Sequence, residues 1–299
     1  MICGIIDLGS NTIRLSIYQC ENMAARLLLN KKITAGLSGY VEGGELSLKG
    51  INKACSVLSD FENILSNFNI QNAHVFATAS LRNIGNTEEA VSIIRDKTGF
   101  SVDVLSGEEE ARLDYVGAAH AVSLEKGLLV DIGGGSTELV TFQNEEILKA
   151  VSMPVGCLNL FLKHVPFLLP TSGSIKEMKR NILAELKKAD FFEEKKQSVI
   201  CGVGGTIRAA GKLYNDIYEL SGENMVMESD KLGKMLALYK NNGKDILHRI
   251  LQIAPERIHT ILPGMMILNA IAKSSKSREI VISGCGVREG YLYGRVLNA

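Results

Sequence analysis

The chain has 299 residues, which is enough for two ordinary domains that each bury a hydrophobic core. Its 33 Lys and Arg residues balance 33 Asp and Glu residues, and this excludes a protein that binds nucleic acid mainly by attraction to the phosphate backbone. Hydrophobic residues make up 46% of the chain, which excludes a largely disordered protein. A polyanionic ligand would therefore have to be held by local basic side chains and backbone amides.

The six cysteines lie far apart and show no spacing typical of a zinc site, so we expect free thiols in a reducing compartment. No uncharged apolar run approaches the roughly 20 residues that a membrane-spanning helix needs. The N-terminus runs directly into an apolar strand pattern without the features of a signal peptide. These observations predict a cytoplasmic protein with no membrane partner and no DNA partner.

The first half of the chain predicts strands that alternate with helices, which is typical of an α/β protein. An apolar run at 2–6 ends in a turn at 7–12, and a second apolar run follows at 13–18. The next predicted elements are a helix at 46–68, a strand at 73–77, a helix at 87–98, a strand at 102–105 and a helix at 106–121. Ser106 is the expected cap of this last helix.

The opening pattern then returns. A strand at 127–130 leads into a second Asp-Gly turn at 131–137, so that Asp7 and Asp131 lie 124 positions apart. A repeat of this length predicts two duplicated domains, which we place at 1–124 and 125–286. The remaining predicted elements are a strand at 138–142, a helix at 175–188, a strand at 198–203, a helix at 204–213, a strand at 280–283 and a final helix at 287–299 that returns to pack on the first domain.

The two Asp-Gly turns carry the first chemical signal. Glycines allow the backbone to approach a ligand closely, and successive backbone amides form a concave anion site. The aspartates would repel a phosphate unless a cation lay between them, and Mg²⁺ suits such oxygen ligands. We therefore predict Asp7 and Asp131 as metal ligands, although each could instead simply cap its own turn. The predicted phosphate-binding residues of these turns are Ser10, Asn11, Gly133, Gly134, Gly135 and Ser136.

A third glycine turn contains Gly204, Gly205 and Thr206, where a predicted strand runs into a helix. Helix N-termini attract anions, so these three residues are further phosphate-binding candidates. An ordinary connection between a strand and a helix would have the same pattern.

Two charged residues complete the candidate site. Glu110 opens a predicted helix, and a carboxylate there could orient an attacking water molecule. Arg82 follows a predicted buried strand, and its guanidinium group matches phosphate oxygens. The alternatives are a solvated acidic first turn for Glu110 and a surface salt bridge for Arg82. Weaker arginine candidates are Arg14, Arg208, Arg257 and Arg288.

Six motifs together resemble the exopolyphosphatase / guanosine pentaphosphate phosphatase (Ppx/GppA) family, and they occur in the family's order. The resemblance covers about residues 3–295. The motifs are IDLGSN at 6–11, ATASLR at 77–82, SGEEEAR at 106–112, DIGGGSTE at 131–138, GGT at 204–206 and GVREG at 286–290.

This resemblance implies two RNase H-like domains of the actin / sugar kinase / heat-shock-protein-70 type around a central cleft. It also implies Mg²⁺-dependent hydrolysis of inorganic polyphosphate, guanosine pentaphosphate or both. On this analogy Glu110 is the catalytic glutamate and Asp131 helps to position metal or water. The glycine turns of the second half would hold phosphates, and Ser10, Asn11 and Arg82 would line the opposite wall. A homodimer is expected by analogy alone.

The chain departs from the family pattern at two positions. His259 and Gly284 stand where the family often has aspartates, which leaves chain-length preference and metal stoichiometry open. The chain also resembles a short form without the extra C-terminal domains of longer members. Two other functions stay open: a sensor that binds guanosine polyphosphates or polyphosphate without cleaving them, and a small-molecule kinase of the same fold.

Overall fold

The computed structural model describes residues 1–22, 24–123, 125–191, 197–241 and 243–298. The chain divides into two compact units: unit 1 comprises Met1–Glu110 with Tyr291–Ala299, and unit 2 comprises Ala111–Gly290. The predicted domain bounds of 1–124 and 125–286 differ from this division, which falls inside a helix after Glu110. Those bounds stay a prediction.

Unit 1 is built on a five-stranded sheet with the strand order β3-β2-β1-β6-β7. Strands β1, β2 and β3 pair antiparallel, whereas β1, β6 and β7 pair parallel. Its elements are β1 Ile2–Leu8, β2 Thr12–Glu21, β3 Ala24–Thr34, a 3₁₀ turn Leu37–Tyr40, β4 Val41–Glu42, β5 Glu45–Leu46, α1 Leu48–Asn67, β6 Ala73–Ala77, α2 Ala79–Arg82, α3 Thr87–Thr98, β7 Val102–Val104 and the π-helix Leu292–Leu297.

Helix α1 covers one face of this sheet. Ser47 caps it, because its side chain accepts a hydrogen bond from the Gly50 amide. The apolar residues that predicted this helix recur at helical spacing and are buried, among them Ile51, Leu58 and Phe61. They join Ile6, Leu8 and their neighbours in the core of unit 1.

Unit 2 is built on a six-stranded sheet with the strand order β10-β9-β8-β11-β13-β12. Helix α4, Gly107–Ala119, begins in unit 1 and continues into unit 2. The other elements are β8 Lys126–Ile132, β9 Thr137–Gln143, β10 Glu146–Met153, α5 Cys157–His164, α6 Ser172–Ala189, β11 Val199–Val203, α7 Gly204–Ile217, β12 Val226–Glu228, α8 Ser229–Asn241, α9 Gly243–Ile253, a 3₁₀ turn Pro255–Arg257, α10 Ile261–Ser275, β13 Glu279–Ile282 and α11 Val287–Tyr291.

The two sheets repeat one topology. In unit 2, β8, β9 and β10 pair antiparallel and β8, β11 and β13 pair parallel, as their counterparts do in unit 1. The short strand β12 is an addition at one edge. This repetition confirms the predicted α/β class and the predicted duplication.

Strand β8 is buried on both faces, as expected of a strand inside a mixed sheet. Leu128 and Val130 belong to the large core of unit 2. Leu129 belongs to a smaller cluster on the other face, together with Ala111 and Ala118 of α4. Because side chains alternate along a strand, Asp131 has the same orientation as Leu129, toward α4.

The sequence did not predict several helices and strands, each for a physical reason. β3 is exposed at most positions and has no apolar alternation to reveal it. α10 is apolar on all sides and contains Pro263 and Gly264, a pair that resembles a helix break, although proline is tolerated in a first turn. The predicted final helix at 287–299 is helical over Val287–Leu297, but its type changes, since α11 ends at Tyr291 and a π-helix follows directly.

None of the helices in the described part of the chain is both long and apolar enough to span a bilayer.

Candidate functional site

The two Asp-Gly turns have the same internal geometry. In unit 1 the Gly9 amide donates a hydrogen bond to the Thr12 carbonyl at 3.1 Å. In unit 2 the Gly133 amide donates to the Ser136 carbonyl at 3.0 Å. Each turn therefore closes in the same way between two antiparallel strands, as the sequence repeat predicts.

The carbonyl groups of the first turn are bound by its own unit. The Asn11 carbonyl accepts from the amides of Ala35 and Gly36, at 3.0 and 2.9 Å. The Ser80 hydroxyl donates to the Leu8 carbonyl. Ser80 precedes Arg82 on the short helix α2, so this bond holds that helix against the Asp7 turn.

The second turn is held by the start of α5. The amide of Cys157 donates to the Gly133 carbonyl, and the amides of Leu158 and Asn159 donate to the Gly134 carbonyl, at 2.9 to 3.0 Å. Among residues that the structure describes, the backbone amides of Gly134 and Gly135 donate no hydrogen bond to a protein acceptor. Carbonyls bound on one side and amides available on the other are what an anion-binding turn requires.

The third glycine turn lies beside Asp131. Gly204 has a φ of +83°, and a Cβ atom built on it would fall 2.0 Å from Oδ1 of Asp131. The Arg257 guanidinium lies over Gly205, and its Nη1 donates to Oγ1 of Thr206 at 3.3 Å. Unit 2 thus brings together Asp131, the three predicted residues of the third turn and the Arg257 guanidinium group.

Positive charge surrounds Asp131. Burial raises the pKa of the Asp131 carboxyl group, whereas Arg208, the Asp114 side chain, Arg288 and Arg257 act to lower it. Burial also lowers the pKa of Arg208, whose Nη1 donates to the Ser283 carbonyl at 3.2 Å. A carboxylate among three guanidinium groups can coexist with bound phosphate, since the arginines compensate the anionic charge.

Asp114 escaped the sequence interpretation. It is fully buried, at 0% exposure, and its side chain lowers the pKa of the Asp131 carboxyl group, against the effect of burial. Its sequence signal was available, because it follows Glu110 by four positions on α4, and residues at this spacing share a helix face. The sequence interpretation also ranked Arg208, Arg257 and Arg288 low, although all three act electrostatically on Asp131.

The three glutamates at the start of α4 have different environments. Glu109 forms a capping box with Ser106: the Ser106 amide donates to its carboxylate at 2.9 Å, and its own amide donates to the Ser106 hydroxyl at 3.2 Å. Glu108 is exposed. Glu110 is only 6% exposed, so the alternative of a solvated acidic turn does not describe it.

Arg82 is the partner of Glu110. Its Nη1 donates to Oε2 of Glu110 at 2.7 Å and to the Leu105 carbonyl at 3.0 Å. Both side chains are mostly buried, so this is not the exposed salt bridge that the sequence left open for Arg82. The pair fixes the Glu110 carboxylate in one orientation and compensates its charge.

The remaining candidates are spread over the two units. Ser10 is buried in the first turn and Asn11 lies beside it, while Asp7 is partly buried at the end of β1. His259 packs edge-on against Phe161, with ring centroids 5.4 Å apart.

The predicted magnesium ion can be tested against these residues. Within the described ranges, no group of three or more Asp, Glu, His or Cys side chains is arranged to hold a metal. Mg²⁺ typically binds through one or two carboxylates and completes its shell with water and substrate phosphates. A site centred on Asp131, with phosphate-binding turns beside it, fits that requirement.

Comparison with known proteins agrees with this geometry. The model of the Ppx/GppA phosphatase family matches residues 16–299. The chain belongs to this family.

Two further comparisons extend the family assignment. A guanosine-5'-triphosphate,3'-diphosphate pyrophosphatase of Vibrio cholerae is 28% identical over 302 residues, which cover 97% of this chain and 58% of that protein. The chain thus spans less than two thirds of the length of this curated relative. The crystal structure of the Aquifex aeolicus member of the Ppx/GppA family is 27% identical with a TM-score of 0.80, and the match covers 100% of this chain and 98% of that one.

An exopolyphosphatase from Cytophaga hutchinsonii has the same fold, with a TM-score of 0.87 at 21% identity, and the match covers 100% of this chain and 99% of that one. Together with the duplicated sheets, these structures confirm the predicted α/β class with two domains that repeat one sheet topology.

Proposed function

We propose that this chain is a phosphohydrolase that releases the terminal phosphate from inorganic polyphosphate, from guanosine pentaphosphate or from both. The observation that carries the proposal is the arrangement in unit 2: Asp131 beside the turn that starts at Gly204, with Arg208, Arg257 and Arg288 around it. The relatives support the same chemistry, since one is a guanosine-5'-triphosphate,3'-diphosphate pyrophosphatase and another an exopolyphosphatase.

Phosphate binding would use backbone and side chains together. The amides of Gly134 and Gly135 and the N-terminal turn of α7, from Gly204 to Thr206, present donors to phosphate oxygens. The arginines add charge-assisted hydrogen bonds that stabilise the developing negative charge of the transition state. In unit 1 the predicted donors are Ser10, Asn11 and Arg82.

Glu110 is the proposed water-orienting carboxylate. Its ion pair with Arg82 orients the carboxylate, which would accept a proton from the attacking water. A divalent cation, Mg²⁺ by preference, would supply charge neutralisation on the phosphate oxygens when bound. Asp131 in unit 2 and Asp7 in unit 1 are its proposed ligands. A cytoplasmic location, which the sequence predicts, and a homodimer, which analogy with the family suggests, are further proposals.

The first experiment measures phosphate release from long-chain polyphosphate, a short oligophosphate and guanosine pentaphosphate, each with and without Mg²⁺. We expect metal-dependent release from at least one substrate, and the ranking names the preferred one. A folded protein that binds these substrates and releases no phosphate would instead support the sensor. ATP-dependent phosphorylation of a small acceptor would support the kinase.

The residue assignment needs its own variant pair. We expect Glu110→Gln to lower turnover about 10²- to 10⁴-fold, the range for general acid–base catalysis, while substrate binding is largely retained. Glu108→Gln is the matched control, since Glu108 lies two positions away on the same helix and is exposed. Near-normal turnover in Glu110→Gln would reject the role of Glu110.

A further inference from the structure

Asn159 is a residue of α5 whose side chain reaches the second Asp-Gly turn. Its Nδ2 donates a hydrogen bond to the Gly135 carbonyl at 2.9 Å, and its Oδ1 accepts one from the Gly156 amide at 2.8 Å. A longer contact of Nδ2, at 3.4 Å, reaches the Pro154 carbonyl. The backbone amide of Asn159 donates to the Gly134 carbonyl at 3.0 Å. One residue therefore binds the turn at two successive glycines and also binds the segment that leads into its own helix.

The hydrogen bonds to the carbonyls of this turn decide the direction of its amides. In a planar trans peptide, a carbonyl group and the amide that follows it point in opposite directions. The Gly133 and Gly134 carbonyls accept from backbone amides at the start of α5, so the amides of Gly134 and Gly135 point away from that helix. The Gly135 carbonyl accepts from Nδ2 of Asn159, which fixes the next peptide plane in the same sense. The turn therefore presents its amides on the side opposite α5.

The third of these peptides depends on the type of side chain at position 159. Backbone amides bind the first two carbonyls, and any residue of α5 would supply them. The bond from the Gly156 amide to Oδ1 is an ordinary helix cap, but the bond from Nδ2 to the Gly135 carbonyl contributes nothing to the helix. A carboxamide is suited to both bonds, because it has an acceptor and a donor. Without the second bond, the peptide after Gly135 would rotate easily, since glycine allows a wide range of φ and ψ.

We propose that Asn159 is a positioning residue, which holds the peptide between Gly135 and Ser136 and thereby keeps the amides of the second turn directed toward bound phosphate. The inference rests on the proposed function and deepens it, because this turn is one of the phosphate-binding elements proposed there. Asn159 acts through the backbone of the turn, and no contact with the substrate is assigned to it.

The test compares Asn159→Ala with the wild type by nuclear magnetic resonance, with inorganic phosphate as the only ligand. We expect phosphate to shift the amide resonances of Gly134 and Gly135 in the wild type. In Asn159→Ala the phosphate affinity read from these shifts should fall about three- to tenfold, as the loss of one hydrogen bond predicts.

Asn86→Ala is the matched control. Asn86 bridges the amide and the carbonyl of Leu46 in unit 1, at 2.9 and 3.1 Å, so its replacement also removes one accepted and one donated bond to the backbone. We expect this variant to have a lower thermal midpoint and an unchanged phosphate affinity, because Leu46 belongs to none of the glycine turns.

Asn159→Asp separates the two side-chain bonds. Its carboxylate keeps the acceptor for the Gly156 amide and lacks the donor for the Gly135 carbonyl. The variant is nearly isosteric and serves as the test if Asn159→Ala does not fold. We expect it to bind phosphate more weakly than the wild type at low and at high salt, since salt screens only the added charge. An affinity equal to that of the wild type at high salt would overturn the role of Asn159.

The resonance measurement keeps this inference separate from the proposed function. A folded Asn159→Ala variant with the wild-type phosphate affinity would overturn the inference. A wild type that releases phosphate from its substrates, while inorganic phosphate leaves the Gly134 and Gly135 amides unshifted, would overturn it as well and leave the proposed function standing. If the two amides respond to phosphate in the expected way and depend on Asn159, but no substrate is hydrolysed, the proposed function is rejected and this inference stands.

Discussion

Replacing Gly204 by alanine tests the geometry around Asp131 most directly. At a φ of +83°, alanine costs roughly 1–2 kcal/mol of backbone strain. The new Cβ would also fall 2.0 Å from Oδ1 of Asp131, where an ordinary contact begins at 3.4 Å. The carboxylate or the turn must therefore shift by about 1.4 Å, which is the difference between these two distances.

A displacement of this size has a large expected effect on the rate. A misplacement of about 1 Å can cost roughly a hundredfold in rate, which corresponds to about 2.7 kcal/mol of transition-state stabilisation. We therefore expect kcat/KM of Gly204→Ala to fall at least about a hundredfold, measured as phosphate release from the preferred substrate.

Gly44 provides the matched control. Its φ is +87°, and a Cβ built on it meets nothing within 4 Å. Gly44→Ala thus introduces nearly the same strain without an overlap, and we expect a lower thermal midpoint with unchanged kcat/KM. If Gly204→Ala is as active as Gly44→Ala, the third turn does not hold Asp131 in a productive position, and the proposed arrangement of unit 2 is wrong.

Two further predictions concern stability and the second turn. Arg82→Met removes the ion-pair partner of the buried Glu110 carboxylate, so we expect the free energy of unfolding to fall by about 3 kcal/mol. Arg95→Met, at an exposed ion pair, is the control and should cost less than about 1 kcal/mol. Denaturant unfolding measures both variants, and equal losses would contradict the buried pairing of Arg82 with Glu110. Gly156→Ala places a Cβ atom against the backbone of Gly134, so we expect the second turn to shift and to bind phosphate more weakly. Calorimetry measures the phosphate affinity, and an unchanged affinity would show that the second turn does not bind phosphate.

The candidate site shows where sequence interpretation stops. The two Asp-Gly turns and the Gly204 turn could be found because glycine, aspartate and hydroxyl residues at the end of an apolar strand form a local pattern. The environment of Glu110 could not be predicted from the sequence, because three consecutive glutamates look equivalent there. Only the fold separates them, because Glu109 caps its own helix and Glu110 is buried against Arg82.

The sequence alone determined the α/β class, the duplication and the motif residues, because alternation, helical spacing and turn composition are local properties. It did not reveal β3 or α10, whose burial depends on what packs beside them. Tertiary structure decided the place of Asp114 and of the arginines near Asp131, for which the sequence offered only a helix spacing and weak candidates. They come from α4, α7, the 3₁₀ turn Pro255–Arg257 and α11, and contacts between elements so far apart in the chain arise only when the sheet and its helices pack together.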